Sequence, residues 1–240
     1  MGILSQWNME RNGLASRSRD KKAGLWIGGI SFFLFVSFFI APLISEPDTI
    51  TDLSGRANAF DFHKENGQNF TWTDLDYYSA TIYAFGDLNC HQKHERSWSI
   101  NGNQMPVCVR DVGIFAGLAL GGFLYSRKGV NRWTLRDTFL SVLPDQYMTN
   151  VYIKNRRTLM FIGIGALCVL PLAIDGFTQL LTDRESTAFL RLTTGIPFGF
   201  VLGLFFAAAY SARPNRFDRA GDVRLPGNVR FERTQDSEEE

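Results

Sequence analysis

The chain has 240 residues, with 25 Lys or Arg against 24 Asp or Glu and a formal net charge of +1, so the placement of the charges rather than their sum must point to partners, and nothing in it suggests nucleic acid. Its 21 Phe and 22 Gly are gathered in apolar blocks separated by very polar ones, which excludes an ordinary soluble domain. No nucleotide, haem or flavin motif occurs, and this argues against ATP-driven work by the chain alone.

Residues 1–23 form a polar, basic tail. Gly2 stands where N-myristoylation begins, but Gln6 occupies the position that modification reserves for Ser or Thr. Residues 24–45 then run twenty-two positions without a charge, long enough at ~1.5 Å per residue to cross a ~30 Å hydrocarbon core. The following EPDT lacks a small-x-small cleavage site, so this stretch is expected to be an uncleaved signal anchor. Three further apolar runs predict spans at 110–126, 158–174 and 192–210. The first two of these are short, so their polar ends are expected at membrane depth, facing protein. The expected fold is an all-α integral membrane protein with four transmembrane helices.

Basic residues alternate between the connecting segments. The tail 1–23, the loop 127–157 and the tail 211–240 hold eighteen Lys or Arg, whereas the loops 46–109 and 175–191 hold six. The positive-inside rule therefore predicts both termini in the cytoplasm of a cell-membrane protein, with 46–109 and 175–191 outside. In the second span Gly113, Gly117 and Gly121 recur every four residues, and in the fourth Gly195, Gly199 and Gly203 do the same. Such rows let helix backbones approach, so the second and fourth helices are expected to touch, either within one chain or in a homo-oligomer. The lipid bilayer is the other expected partner, and no nucleic acid is.

The loop 46–109 is acidic. Its first part, rich in Asp, Asn and Gly, reads as irregular, and Asn69 heads a glycosylation sequon. Thr73 and Asp76 make a capping box, and Leu75, Tyr78, Ile82 and Phe85 follow at helical spacing. A short amphipathic helix is expected there, delivering Cys90. In the loop 127–157, Trp133, Leu135, Phe139, Leu143 and Tyr147 are spaced for an amphipathic segment flanked by Arg127, Lys128, Arg132 and Arg136, as suits an anionic membrane surface. The tail 211–240 pairs low hydrophobicity with segregated charge and reads as disordered.

Chemistry concentrates between Asn89 and Gly113. Two of the three cysteines and two of the three histidines fall here, as Cys90, His91, His94 and Cys108. Cys108 and Asp111 have the Cys-x-x-ligand spacing by which one turn aims two side chains at one ion. With Cys90 and His91 they supply two thiolates, an imidazole and a carboxylate, a set suited to zinc or iron, with His94 in reserve. A second chemistry fits as well: outside the cytoplasm, Cys90 and Cys108 would be free to form a disulfide. Cys168, inside the third span, reads as a small apolar residue. Near the outer ends of the later spans lie Asp175, Gln179 and Arg191. With Arg96 and Arg110 they are expected to line a polar pocket, because ionisable groups near membrane depth are costly and mark sites.

The order CHQ, ERSW, a Gly with Gln and Pro before PVCVRDVGI, then DG-x-TQ and LR-x-TTG resembles the domain-of-unknown-function 2085 family of predicted multi-pass membrane proteins, over roughly residues 77–203. The resemblance implies membrane location and a shared site, and assigns no activity. Where family members read Cys-Ala-Arg-Cys, this chain has Cys108, Val109, Arg110 and Asp111, which implies a harder or more open metal centre than three thiolates make. Three functions follow as expectations: metal-dependent chemistry on a membrane-associated substrate, with Asp175 or His91 as acid or base; a transporter or channel component; or a structural protein braced by a Cys90–Cys108 disulfide.

Overall fold

The computed structural model describes residues 18–53, 74–182, 184–214, 217 and 219–231. Asn69 and Thr73 lie outside them. Among the described residues are seven α-helices and one two-stranded hairpin: α1 (Ser18–Ile44), α2 (Tyr77–Asn89), β1 (Ser99–Ile100), β2 (Asn103–Gln104), α3 (Val109–Lys128), α4 (Leu135–Leu140), α5 (Asp145–Ile153), α6 (Arg157–Leu181) and α7 (Ala188–Ser211). Four of them, α1, α3, α6 and α7, are long and apolar enough to cross a membrane.

Two helices run further than their apolar cores. α6 continues through Asp175 and Gln179 to Leu181, and α7 already begins at Ala188, so Arg191 is helical too. The segment between them shrinks to 182–187. Asp175 need not end the helix, because Gln179 one turn on donates to its Oδ2 at 3.0 Å, an i,i+4 pair that only helical backbone brings together.

The chain divides into two compact units. One contains the described residues of 30–118 and 168–199. Its core is Phe38, Ala41, Ile50, Leu53, Ile82, Tyr83, Met105, Val107 and Val112, with Cys90 at its edge. Phe38, Phe85 and Phe115 pack ring to ring at its centre, the Phe38–Phe115 pair edge-on at 5.1 Å between centroids. Asp76 caps α2, accepting from the amides of Tyr78 and Ser79 at 3.0 and 3.1 Å, and Ser79, Ile82, Tyr83, Gly86 and Asp87 form the buried face.

The other unit contains the described residues of 1–29, 119–167 and 200–240. Its connecting segment is no continuous amphipathic helix. α4 and α5 are separate, because Pro144 disfavours helical backbone at Leu143 and instead starts α5. Arg132 and Arg136 turn to protein carboxylates, Asp145 and the fully buried Asp137. The C-terminal segment 219–231 departs from the disorder its composition suggests: Val223, Leu225 and Pro226 are buried, which gives the arginine-rich stretch an apolar face of its own.

The glycine rows meet within one chain. A Cβ on Gly195 would lie 2.5 Å from the Arg110 carbonyl oxygen, and one on Gly199 would lie 2.0 Å from that of Ile114, closer than any side chain permits. A further crossing that the four-residue rows do not reveal brings α1 to α3, where a Cβ on Gly122 would meet the Gly28 nitrogen at 2.4 Å. Gly199→Leu is therefore expected to abolish a stable fold, read as loss of a monodisperse detergent-solubilised species. Gly163→Ala, with nothing within 4 Å of the new Cβ, should leave the thermal midpoint unchanged; equal behaviour of the two variants would refute the packing argument.

Candidate metal centre

Two short devices bring the cysteines together. α2 ends at Cys90, whose backbone N–H still donates to Gly86 O at 2.8 Å while its own backbone is extended, with φ −137° and ψ 147°. In extended chain successive side chains point to opposite sides. Cys90 and Gln92 are accordingly buried, and His91 between them is exposed. His91 is not among the three residues whose ligand atoms gather.

The second device is the hairpin. Asn101 and Gly102, both at positive φ, make a two-residue turn joining β1 to β2. Gly102 packs so tightly on Asp48 that a Cβ there would sit 1.9 Å from a carboxylate oxygen. Behind the turn, fully buried Asn103 accepts from the amides of Thr49 and Ile50 at 3.1 and 2.9 Å and donates to the carbonyls of Pro42 and Glu46 at 3.0 Å each. Gln104 accepts from Leu53 N at 2.9 Å and donates to Gln92 O at 2.7 Å. Gln92 donates to Pro106 O at 2.8 Å, and the Tyr83 hydroxyl donates to Gln104 O at 2.6 Å. Residues 90–92 are thus held against residues 104–108, and α3 starts one residue after Cys108.

The result is a cluster of Cys90, Cys108 and Asp111, whose ligand atoms all lie within 4.8 Å of one another. Cys108 N–H donates to Cys90 Sγ at 3.3 Å, and Cys108 Sγ donates to Asp111 Oδ2 at 3.3 Å. Both cysteines are free thiols. The Cys90 thiol is pushed far up by its hydrogen bond to the Cys108 sulfur and by burial, while the same bond draws Cys108 below its ordinary value. Of the two sulfurs, Cys108 gives up its proton first. The donor set of two sulfurs and one carboxylate fits zinc or iron, and fits poorly the oxygen-seeking Mg²⁺ and Ca²⁺.

His94 lies in the exposed turn His94–Arg96, outside the cluster, and Cys168 sits in α6, apart from it. The other predicted polar residues form a chain of contacts beside the cluster. Arg110 on α3 pairs with Asp175 on α6; Gln179 donates to Asp175 and accepts from Arg191 at 2.6 Å; Arg191 also donates to Glu185 at 2.8 Å, and Glu185 pairs with Arg96. Asp175 and Arg191 are only 4% and 2% exposed. The Arg96 guanidinium holds the Glu185 carboxyl below its usual range. Asp175 Oδ2 already receives two donors, an arrangement suited to clamping helices together and holding Arg110 in place.

Sequence reasoning passes over Gln92, Asn103 and Gln104, which organise the cluster without belonging to it. The available signal is the Asn101-Gly102 dipeptide, which marks a two-residue hairpin and so predicts that its flanks meet.

Among known proteins, the chain is 34% identical over 137 residues to an uncharacterised protein of Methanocaldococcus jannaschii, covering 55% of this chain and 73% of that one. It is 37% identical over 115 residues to an uncharacterised protein of Methanothermobacter thermautotrophicus, covering 48% of this chain and 81% of the other. No solved structure matches. The profile described as "Predicted membrane protein (DUF2085)" matches residues 90–205, a stretch that opens on the first cysteine of the cluster and takes in Asp175, Gln179 and Arg191. On the strength of that match and these relatives, the chain belongs to the DUF2085 family of predicted membrane proteins.

Proposed function

We propose that this protein binds a zinc or iron ion through Cys90, Cys108 and Asp111, on the extracytoplasmic side of a cell membrane that it crosses four times, and acts there on a membrane-associated substrate. The observation that carries this reading is the close approach of three ligand atoms, two of them soft sulfurs. Three protein ligands rather than four is the pattern of zinc sites that keep a position open for chemistry. An ion held there supplies a Lewis acid able to polarise a substrate oxygen. The neighbouring groups suit an anionic substrate: Arg110 is tethered by Asp175, and Arg191 joins the same polar chain through Gln179. Their positive charge would hold a phosphate or carboxylate beside the ion. Catalytic acid or base work by His91 would require its exposed imidazole to act from solvent, and Asp175 serves better in positioning Arg110.

A second reading rests on a specific contact. Cys90 Sγ lies against the Cys108 amide, so a disulfide would brace the same segment in an oxidising compartment. Elemental analysis of the detergent-solubilised protein, with free-thiol counts on wild type, Cys90→Ser and Cys108→Ser, separates the two. About one equivalent of zinc or iron per chain, lost in both variants, is expected. Absence of metal, with thiols that appear only on reduction, would sink the metal site in favour of the brace.

Asp175→Asn is expected to keep its metal while losing roughly 1–3 kcal/mol of stability, because Arg110 loses its counter-charge. Unchanged thermal stability and activity would remove Asp175 from the site. Orientation rests on the eighteen to six partition of basic residues. In intact cells, a membrane-impermeant maleimide should label a cysteine placed at Glu95 and spare one placed at Lys154, and the reverse pattern would invert the topology.

A further inference from the structure

Cys90 and Cys108 differ in how far a reagent can reach them. Cys90 sits at the edge of the core and is 8% exposed, whereas Cys108 is only half-buried, at the point where α3 begins. Little separates the two sulfurs. Their ligand atoms lie within 4.8 Å, and Cys90 Sγ already accepts from the Cys108 amide at 3.3 Å. A disulfide holds its sulfurs at about 2.05 Å, so side-chain rotation has to bring them no more than ~3 Å closer. The backbones stay in register meanwhile, because Gln104 donates to Gln92 O at 2.7 Å and Gln92 donates to Pro106 O at 2.8 Å. Those bonds join glutamine amides to main-chain carbonyls, and a sulfur–sulfur bond involves none of these groups.

The same sulfurs are two of the three ligand atoms that gather at the cluster. The thiolate is the form of cysteine that binds metal, and a sulfur bonded to another sulfur is no longer a thiolate. Joining Cys90 to Cys108 therefore removes two ligands in one event and leaves Asp111 alone. A single carboxylate falls short of the three or four protein ligands that zinc takes. The ion and the disulfide exclude each other for that reason. Which of the two forms depends on Cys108, because its sulfur is the one an outside reagent meets first.

Resting on the metal reading above, we propose that Cys90 and Cys108 are a redox gate on that centre: an organic disulfide exchanges with the pair, the two cysteines bond to each other and the ion is released. Cys108 Sγ attacks one sulfur of the disulfide R–S–S–R, one RS⁻ leaves, and a Cys108–S–S–R bond forms. Cys90 Sγ then attacks Cys108 Sγ, the Cys90–Cys108 bond forms and the second RS⁻ leaves. The cysteine pair gives up two electrons and the organic disulfide takes them. The two departing thiolates take protons from water as the ion goes free; in the metal-free protein the two cysteine thiols supply those protons. Protein disulfides persist outside the cytoplasm, so an oxidant of this class is at hand on the side proposed for the site.

The test uses the reduced full chain in detergent, loaded with zinc and then treated with oxidised glutathione. Released zinc is read with a chromophoric chelator, and the state of each cysteine by intact mass and peptide mapping. Wild type is expected to lose about one equivalent of zinc for each Cys90–Cys108 bond formed, and to regain it once reduced. Cys90→Ser should stop with glutathione joined to Cys108, because the sulfur that resolves the mixed disulfide is gone. Cys108→Ser should form roughly tenfold less adduct, since only the buried sulfur of the pair remains. Cys168→Ser should behave as wild type. Failure of the reduced wild type to take up zinc would refute the metal reading and the gate with it. Zinc that stays bound under oxidised glutathione, or that leaves with no Cys90–Cys108 bond formed, would overturn the gate and leave the metal site standing.

Discussion

Gln92 and Gln104 lock two short stretches of irregular chain together, and the distance between the two sulfurs follows from that lock. Gln104 donates to the backbone of Gln92, Gln92 donates to that of Pro106, and Tyr83 closes the group from α2. These side chains do the work that a sheet would do in a larger domain. Backbone groups buried away from water must find partners, and between helices there is no ladder to supply them, so buried amides stand in. Asn103 carries the same principle to the exit of α1, where one side chain makes four hydrogen bonds with the 42–50 backbone.

The cluster also depends on how closely the long helices approach. Arg110 and Asp111 begin α3, and the Arg110 carbonyl faces Gly195 on α7 with no room for a methyl group. That approach brings Arg191, one turn earlier on α7, into the polar chain that runs through Gln179 and Asp175 back to Arg110. Helices in lipid gain little by hiding apolar surface from each other, so small residues and buried polar pairs must carry the association. α6 contributes its polar end to this chain while its apolar residues are at most partly covered by protein, as suits a helix whose remaining surface meets lipid.

Near the cysteines, two soft sulfur donors and a carboxylate gather beside arginines whose own counter-ions, Asp175 and Glu185, are in place.

What could be read from the residues in order was whatever depends on local composition. Apolar runs against a ~30 Å bilayer determine four long helices, glycine spacing determines that α3 and α7 meet, and the Cys-x-x-Asp turn determines that Cys108 and Asp111 share a site. Tertiary structure alone decided the rest. It left His91 exposed beside the buried Cys90, and composition carries no record of a local φ and ψ. It drew Asp175 and Arg191 inside helices, because partners remote in sequence neutralise them. It also folded part of an arginine-rich tail against α5, where a few apolar residues outweigh the average character of the segment once a surface exists to receive them.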